Sequence, residues 1–170
     1  MPLKIIWQSP DLKGERTQFT LRLLDANLIV TLLGDVIVGA TWDVVQNPSL
    51  QTVSSLGELV QAYLLNPYNN QLQLTLRKQG STYAQLVWNA LLEIPAGQVS
   101  CYSDLAASLG SGPRAIAQAC KNNPYAGIIP CHRVVSKTGI GGFMGQSTGA
   151  FIDLKRRLLL YEQNIASDCR

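Results

Sequence analysis

Near Lys78 the hydrophobic period of the chain changes from two residues to about 3.6, and this switch restricts the folds open to it. Before it, Leu3–Gln8, Phe19–Leu24, Leu28–Leu33 and Val36–Trp42 are short runs rich in β-branched and aromatic residues. Ser9-Pro10, Asp25-Ala26-Asn27 and Gly34-Asp35 supply the turn signals between them. These runs are expected to form a small antiparallel sheet. Leu56, Leu59, Val60, Tyr63 and Leu64 recur at helical spacing, so Ser54–Leu65 is expected to be a helix. Asn66–Asn70 reads as a turn, and Leu72, Leu74 and Leu76 alternate as in an extended segment.

From Ser81 onward the pattern is helical. Tyr83, Leu86, Val87, Ala90, Leu91 and Ile94 form one apolar stripe, ended by Pro95 and Gly97. Tyr102–Leu109 carries Leu105, Ala106 and Leu109 on one face. Gly110-Ser111-Gly112-Pro113 interrupts it, and Pro113 suits the first turn of a following helix, about Arg114–Lys121. This pair has the shape of a helix-turn-helix. The second helix places Arg114, Gln118 and Lys121 on a polar face, and Ala115, Ala117 and Ala119 keep it slim enough to approach a groove. Asn122-Asn123-Pro124 ends it, Ile128–Val135 is apolar apart from its Cys-His-Arg centre, with Cys131 at the end of an apolar strand, Lys137–Gly149 reads as a glycine-rich loop and Phe151–Asn164 as a last helix. The expected class is α+β: a small N-terminal antiparallel sheet with a helix in residues 1–80, then a mainly helical domain with a helix-turn-helix in residues 81–170.

Composition narrows the function classes. Of 170 residues, 46% are hydrophobic and 15% charged, which favours a packed core over disorder. No apolar run reaches the roughly 18 residues of a membrane span, and Met1–Trp7 is too short for a secretory signal, so a cytoplasmic protein is expected. The four cysteines, Cys101, Cys120, Cys131 and Cys169, include no CxxC pair, and His132 is the single histidine, so no metal centre is expected. Through Ile94 there are six Lys/Arg against seven Asp/Glu; from Pro95 there are eight against four. The basic excess therefore lies wholly in the C-terminal half, where it permits contact with a polyanion. Lys155-Arg156-Arg157 reads as a solvated helix face.

Cys131 is the candidate nucleophile. Pro130 holds Ile129 out of helical space and fixes the entry to Cys131, which is followed by the only imidazole of the chain. A thiol is a strong nucleophile as the thiolate, and a nearby base or cation lowers its pKa. Neighbouring side chains on a strand point to opposite faces, so Cys131 and His132 can cooperate only if the chain turns there or a water bridges them. Cys101, Cys120 and Cys169 read as two packed thiols and a tail residue.

Pro130-Cys131-His132-Arg133-Val134, preceded by Asn123-Pro124, resembles the active-site signature of the O6-alkylguanine-DNA alkyltransferases, also called methylated-DNA–protein-cysteine methyltransferases. The similarity runs from about Leu56 to Asn164. It includes Val87-Trp88-Asn89-Ala90-Leu91, Ile94-Pro95-Ala96-Gly97, Tyr102-Ser103-Asp104-Leu105-Ala106, Pro113-Arg114-Ala115 and Gly139-Ile140-Gly141-Gly142-Phe143, in the family's order and spacing. Met1–Val53 matches only loosely.

The resemblance implies a direct-reversal repair protein that moves an alkyl group from O6 of guanine, or from O4 of thymine, irreversibly to Cys131, once per molecule. In it His132 takes the thiol proton through a water, Glu162 orients the histidine, Asn123 ties the turn after the recognition helix to the active-site strand, and Tyr102 donates to the departing guanine. Arg114 fills the space left by the flipped base, with Tyr102, Ser103, Ala115 and Lys137 also at the DNA. The carbonyls of Cys131 and Val134 read the guanine edge, and Val134, Phe143, Met144 and Ala126 line the pocket. The implied partner is double-stranded DNA containing O6-alkylguanine, bound in the minor groove by a monomer, with no cofactor and no membrane; the location would be the nucleoid of a prokaryote or the nucleus of a eukaryote. Phe143 stands where many relatives have tyrosine, Met144 where a small residue is common and Ala126 where some have proline; the loop Gly145–Ile152 is longer by a few residues. These departures bear on which alkyl groups fit. A non-catalytic lesion sensor is disfavoured by the presence of Cys131, a helix-turn-helix regulator by the lack of a dimerisation helix, and a cysteine hydrolase by the lack of a distant histidine.

Overall fold

A computed structural model describes residues 3–44 and 54–169. It has the α+β architecture expected, in two units: Met1–Gln79 together with Pro124–Gly127, and Gly80–Asn123 together with Ile128–Arg170.

The first unit is built on a five-stranded sheet. Its strands are β1 (Leu3–Gln8), β2 (Arg16–Leu23), β3 (Ala26–Leu33), β4 (Val36–Asp43) and β5 (Leu72–Arg77), in the order β1-β5-β4-β3-β2. Alternation places Phe19, Leu21 and Leu23 of β2 and Leu72, Leu74 and Leu76 of β5 in the core. The β2-β3-β4 meander is antiparallel, as expected, but β1 and β4 both pair with β5 in parallel. A chain leaving β4 through a helix and returning as β5 can run parallel to it, which a tight hairpin cannot do. That helix is α1 (Ser55–Leu65), whose first turn is capped by the Ser54 hydroxyl accepting from Gly57 N–H at 3.0 Å. The β2–β3 turn falls at Leu24-Asp25, not at Asp25–Asn27: both residues have positive φ (50° and 62°). This suits the twist of a two-residue hairpin and puts Ala26, Leu28 and Val30 in the core. Within this unit Pro124–Gly127 runs beside β4, with Ala40 N–H donating to Pro124 O and Ala126 N–H to Ala40 O. Tyr125 is fully buried there and donates to Arg77 O.

The second unit contains α2 (Thr82–Leu92), β6 (Ser100–Cys101), α3 (Tyr102–Ser108), α4 (Pro113–Lys121), a single 3₁₀ turn at Cys131–Arg133, β7 (Val134–Val135) and α5 (Ala150–Asp168). The Ser81 hydroxyl caps α2, Pro113 occupies the first turn of α4, and Gly110 turns between α3 and α4 with φ of 60°. α5 continues past Asn164 to Asp168.

Candidate active site

α2 is the post on which the helix-turn-helix stands. Trp88 is buried, and its indole N–H donates to Ala119 O on α4 at 2.9 Å, while Tyr83 meets Ser111 of the inter-helix turn at 2.6 Å. Ile116 and Ala119 face inward from α4. Arg114, Ala115, Ala117 and Gln118 are exposed, so the slim, polar face read from the sequence is free of packing.

The stretch around Cys131 is not a strand, and this corrects the sequence reading. Pro130 has φ −81° and ψ 62°, and Cys131 N–H donates back to Ile129 O at 2.8 Å, which makes an inverse γ-turn centred on the proline. Cys131–Arg133 then forms one 3₁₀ turn, with Arg133 N–H donating to Pro130 O at 3.0 Å. Three residues per turn send three successive side chains in three directions instead of two. Cys131 faces a cavity, whereas His132 and Arg133 both reach Glu162 on α5. The Asn123 amide donates to Ile129 O at 3.0 Å, which ties the end of α4 to this turn. β7 pairs in parallel with β6, so the turn leads to the strand beside the start of α3.

Glu162 is 8% exposed and is surrounded by donors. His132 Nε2 lies 2.8 Å from its Oε1; Arg133 Nε donates to its Oε2 at 3.0 Å and Arg133 Nη2 to its Oε1 at 2.8 Å. Arg133 Nη1 donates to Ile94 O at 2.7 Å, which completes a buried fork. Burial by itself raises the Glu162 carboxyl, but His132 and Arg133 together overturn it and hold the group down at about 2. His132 is 3% exposed, and its other ring nitrogen, Nδ1, is buried without a hydrogen-bond partner. A buried polar atom in that state is a position for a bridging water or a reacting proton.

Because the folded-state pKa of Glu162 lies below its unfolded value, its contribution to stability is present above about pH 4.5 and is lost as pH falls toward about 2. Acid titration of the melting temperature is therefore expected to show a decline over this window, and a Glu162→Gln variant a weaker one. Equal declines in the two proteins would remove this carboxylate as the cause.

Cys131, 7% exposed, opens onto a cavity of about 310 Å³. Tyr102 from α3, Cys120 from α4 and Phe143 and Met144 from the glycine-rich loop share its wall. Burial pushes the Cys131 thiol up, while a hydrogen bond from Asn123 and the Lys155 charge draw it back. Burial also raises the Tyr102 phenol to about 12, with the Cys120 and Cys131 sulfurs adding to the shift, so it is a protonated donor at neutral pH. A type I′ turn supports the rim: Phe143 and Gln146 exchange both backbone hydrogen bonds around Met144 and Gly145, both at positive φ. Gly141, at φ +71°, has no room for a side chain, since an added Cβ would meet Tyr102 Cε2 at 2.9 Å. Gly141→Ala is expected to lower the melting temperature by several degrees and, by displacing Tyr102, to slow any reaction in the cavity about tenfold or more. Unchanged melting and rate would show that the contact imposes no constraint.

Of the four residues expected at the pocket, two line this cavity. Ala126 belongs to the first unit, and Val134 is fully buried with its carbonyl taken by Lys155; neither lines the cavity. Phe143 and Met144 do. Ser103 is half-buried at the start of α3 and Lys137 is exposed on the loop after β7. Lys155 is not solvated: it is fully buried, and only its neighbours Arg156 and Arg157 are exposed. Besides Lys155, sequence reasoning missed Arg133, which only its place beside the Cys-His pair could have flagged, and Cys120, whose helical spacing from Ile116 and Ala119 gives no sign of a cavity. Among the described residues no group of three or more His, Cys, Asp or Glu could hold a metal ion.

The second unit is thus a helix-turn-helix domain carrying a buried thiol at a cavity, backed by a His–Glu–Arg cluster. Residues 82–164, just under half of the chain, match the family described as 6-O-methylguanine DNA methyltransferase, DNA binding domain. The methylated-DNA–protein-cysteine methyltransferase of Archaeoglobus fulgidus is 42% identical over 95 residues, covering 54% of this chain and 63% of that protein. That of Saccharolobus islandicus is 46% identical over 76 residues, covering 45% and 47%. The chain spans about half to three-fifths of the length of the relatives it matches. Among solved structures, the O6-methylguanine methyltransferase of Mycobacterium tuberculosis superposes with a TM-score of 0.68 at 25% identity, over 88% of this chain and 94% of that one. The same organism's OGT in complex with DNA gives 0.66 at 26% identity, over 86% and 92%. No described helix is long and apolar enough to cross a membrane.

Proposed function

We propose that this chain repairs DNA by transferring the alkyl group of O6-alkylguanine to Cys131 Sγ, one group per protein molecule. The observation that carries the reading is the placement of Cys131 on an open cavity, one residue before a buried histidine paired to Glu162. His132 Nδ1 takes the thiol proton through a water, and Nε2 stays against Glu162, which stabilises the imidazolium. The Cys131 sulfur forms the new bond to the alkyl carbon, the carbon–O6 bond breaks, and its electron pair leaves with guanine. Tyr102 donates to the guanine as that charge develops. The thioether product is stable, so the acceptor is spent after one transfer.

The exposure of Arg114, Ala115 and Lys137 in the second unit supports the DNA-binding positions. Arg114 and Ala115 at the start of α4, with Ser103 on α3 and Lys137, meet the minor groove, and Arg114 fills the gap left by the flipped nucleotide. Extrusion costs a few kcal/mol and is cheapest at a weakened pair. O4-alkylthymine is a second substrate, the protein acts as a monomer wherever the genome resides, and the domain boundary is the change of period near residue 80. Incubation with duplex DNA containing O6-methylguanine, followed by intact-protein mass measurement, is expected to show gain of one methyl mapping to Cys131. DNA binding without any mass gain would sink the proposal and leave a lesion-binding protein.

A further inference from the structure

Arg114, Gln118 and Lys121 share the polar face of α4, but Lys121 differs from the other two in its surroundings. It stands in the last turn of the helix and lines the cavity onto which Cys131 opens, whereas Arg114 and Gln118 do not. An added Cβ on Gly145 would lie 3.4 Å from Lys121 Cε, so the lysine stem runs beside the rim turn at Met144-Gly145. The residue is exposed, and among the described residues its ammonium has no hydrogen bond and no ion pair. Lys155 is the opposite case, with its ammonium buried and taken by two carbonyls. A cation in the last turn favours the helix itself, but that does not require its stem to lie on the cavity rim.

The cavity mouth is where the charged part of a substrate must stay. Cys131 is 7% exposed, so the atom it attacks has to enter the cavity. A purine ring is uncharged and can leave water for such a space. A phosphodiester carries a full negative charge, and stripping its water is far more costly. A nucleotide whose base fills the cavity therefore leaves its phosphates at the mouth. Among the described residues Lys121 is the only charged side chain in the cavity wall, so no carboxylate there opposes a phosphate. An ammonium without a partner, on a flexible stem at that mouth, is the complement of the charge left outside.

We infer that Lys121 binds a backbone phosphate of the extruded nucleotide and so holds the damaged base in the cavity for attack by Cys131. Through this contact the cavity selects a nucleotide within a strand over a free base. The inference rests on the repair reading and adds a substrate-binding residue to it.

The test compares the full chain with its Lys121→Gln and Lys121→Arg variants on three duplexes of one sequence, each holding a single O6-methylguanine. One duplex is ordinary; the other two carry an uncharged methylphosphonate linkage, on the 5′ or the 3′ side of the lesion. The readout is the single-turnover rate of methyl gain at subsaturating protein, followed by intact-protein mass. The unmodified chain is expected to lose about threefold to tenfold in rate on one of the two neutralised duplexes. Lys121→Gln is expected to show that loss already on ordinary DNA and no further loss on the neutralised duplex. Its slope of log rate against log salt is expected to be shallower by about 0.9, the share of one phosphate contact. Lys121→Arg keeps the charge and is expected to behave like the unmodified chain. A lysine that only supports the fold would slow all three duplexes alike in Lys121→Gln and leave the sensitivity to the neutral linkage intact; that result overturns the inference. So does an unmodified chain indifferent to both neutral linkages, or a glutamine variant as fast as the unmodified chain. Each comparison is a ratio between DNAs within one protein, so a general loss of activity in a variant cancels. No methyl gain by the unmodified chain on ordinary DNA is a separate failure: it sinks the repair reading, and this inference with it.

Discussion

Cys131→Ala is expected to abolish alkyl transfer completely while leaving DNA affinity within about an order of magnitude of the unmodified chain. In the proposed reaction the acceptor is consumed stoichiometrically, so its loss removes the chemistry and not merely a rate factor. The neighbouring thiol offers no replacement: burial and the nearby Cys131 sulfur hold Cys120 at about 12, leaving it protonated under physiological conditions. Binding survives because affinity for duplex DNA comes mainly from phosphate contacts, and the exposed face of α4 with Arg114 does not depend on the sulfur. The measurements are intact mass after reaction and gel-shift affinity at a fixed salt concentration. Repair of the methylated base by the alanine variant would overturn the assignment of Cys131. Loss of folding is not expected, because only one small side-chain atom is removed.

Glu162→Ala has the second largest expected effect, and it acts on stability and rate together. The carboxylate is the shared partner of Arg133 and His132, both nearly inaccessible to solvent. Its removal strands a guanidinium that keeps Ile94 O as an acceptor but loses both carboxylate oxygens. Breaking a buried pair from one side costs about 3–5 kcal/mol, equivalent to roughly 6–20 °C in melting temperature for a chain of this size. The rate is expected to fall by about 100-fold or more, because His132 loses the group that fixes its ring and stabilises its protonated form. Glu162→Gln separates the contributions: it keeps one acceptor oxygen and much of the shape but lacks the charge. It is expected to melt between the other two proteins and to react nearly as slowly as the alanine variant. If the glutamine protein transferred methyl groups at the unmodified rate, Glu162 would be a structural residue alone.

Glu162 also marks the limit of reading a sequence. A lone glutamate on an amphipathic helix is ordinarily a solvated residue, and nothing in Phe151–Asn164 distinguishes Glu162 from Asp153, which is exposed. Lys155, Arg156 and Arg157 carry the same lesson: three consecutive cations, of which the helical rotation buries one and exposes two. Periodicity locates the buried face of α5 through Leu154 and Leu158, but it does not say that the acceptors awaiting a buried ammonium are two carbonyls from other segments. In the first unit the alternation of Leu72, Leu74 and Leu76 marks a strand without naming its partners, so the parallel placement of β5 between β1 and β4 was not legible.

What the sequence by itself determined is what local chemistry controls. The change from period two to helical period, the caps at Ser54 and Ser81, the Pro113 start of α4 and the ordered motifs around Pro130-Cys131-His132-Arg133 all depend on residues near one another in the chain. Tertiary structure alone decided how Cys131 and its neighbours are arranged. The γ-turn at Pro130 and the 3₁₀ turn after it send Cys131 into a cavity and His132 and Arg133 to Glu162, 30 and 29 residues away. Those contacts form between segments distant in sequence, and their energy comes from burying charge beside its partner, a term that exists only once the chain has folded.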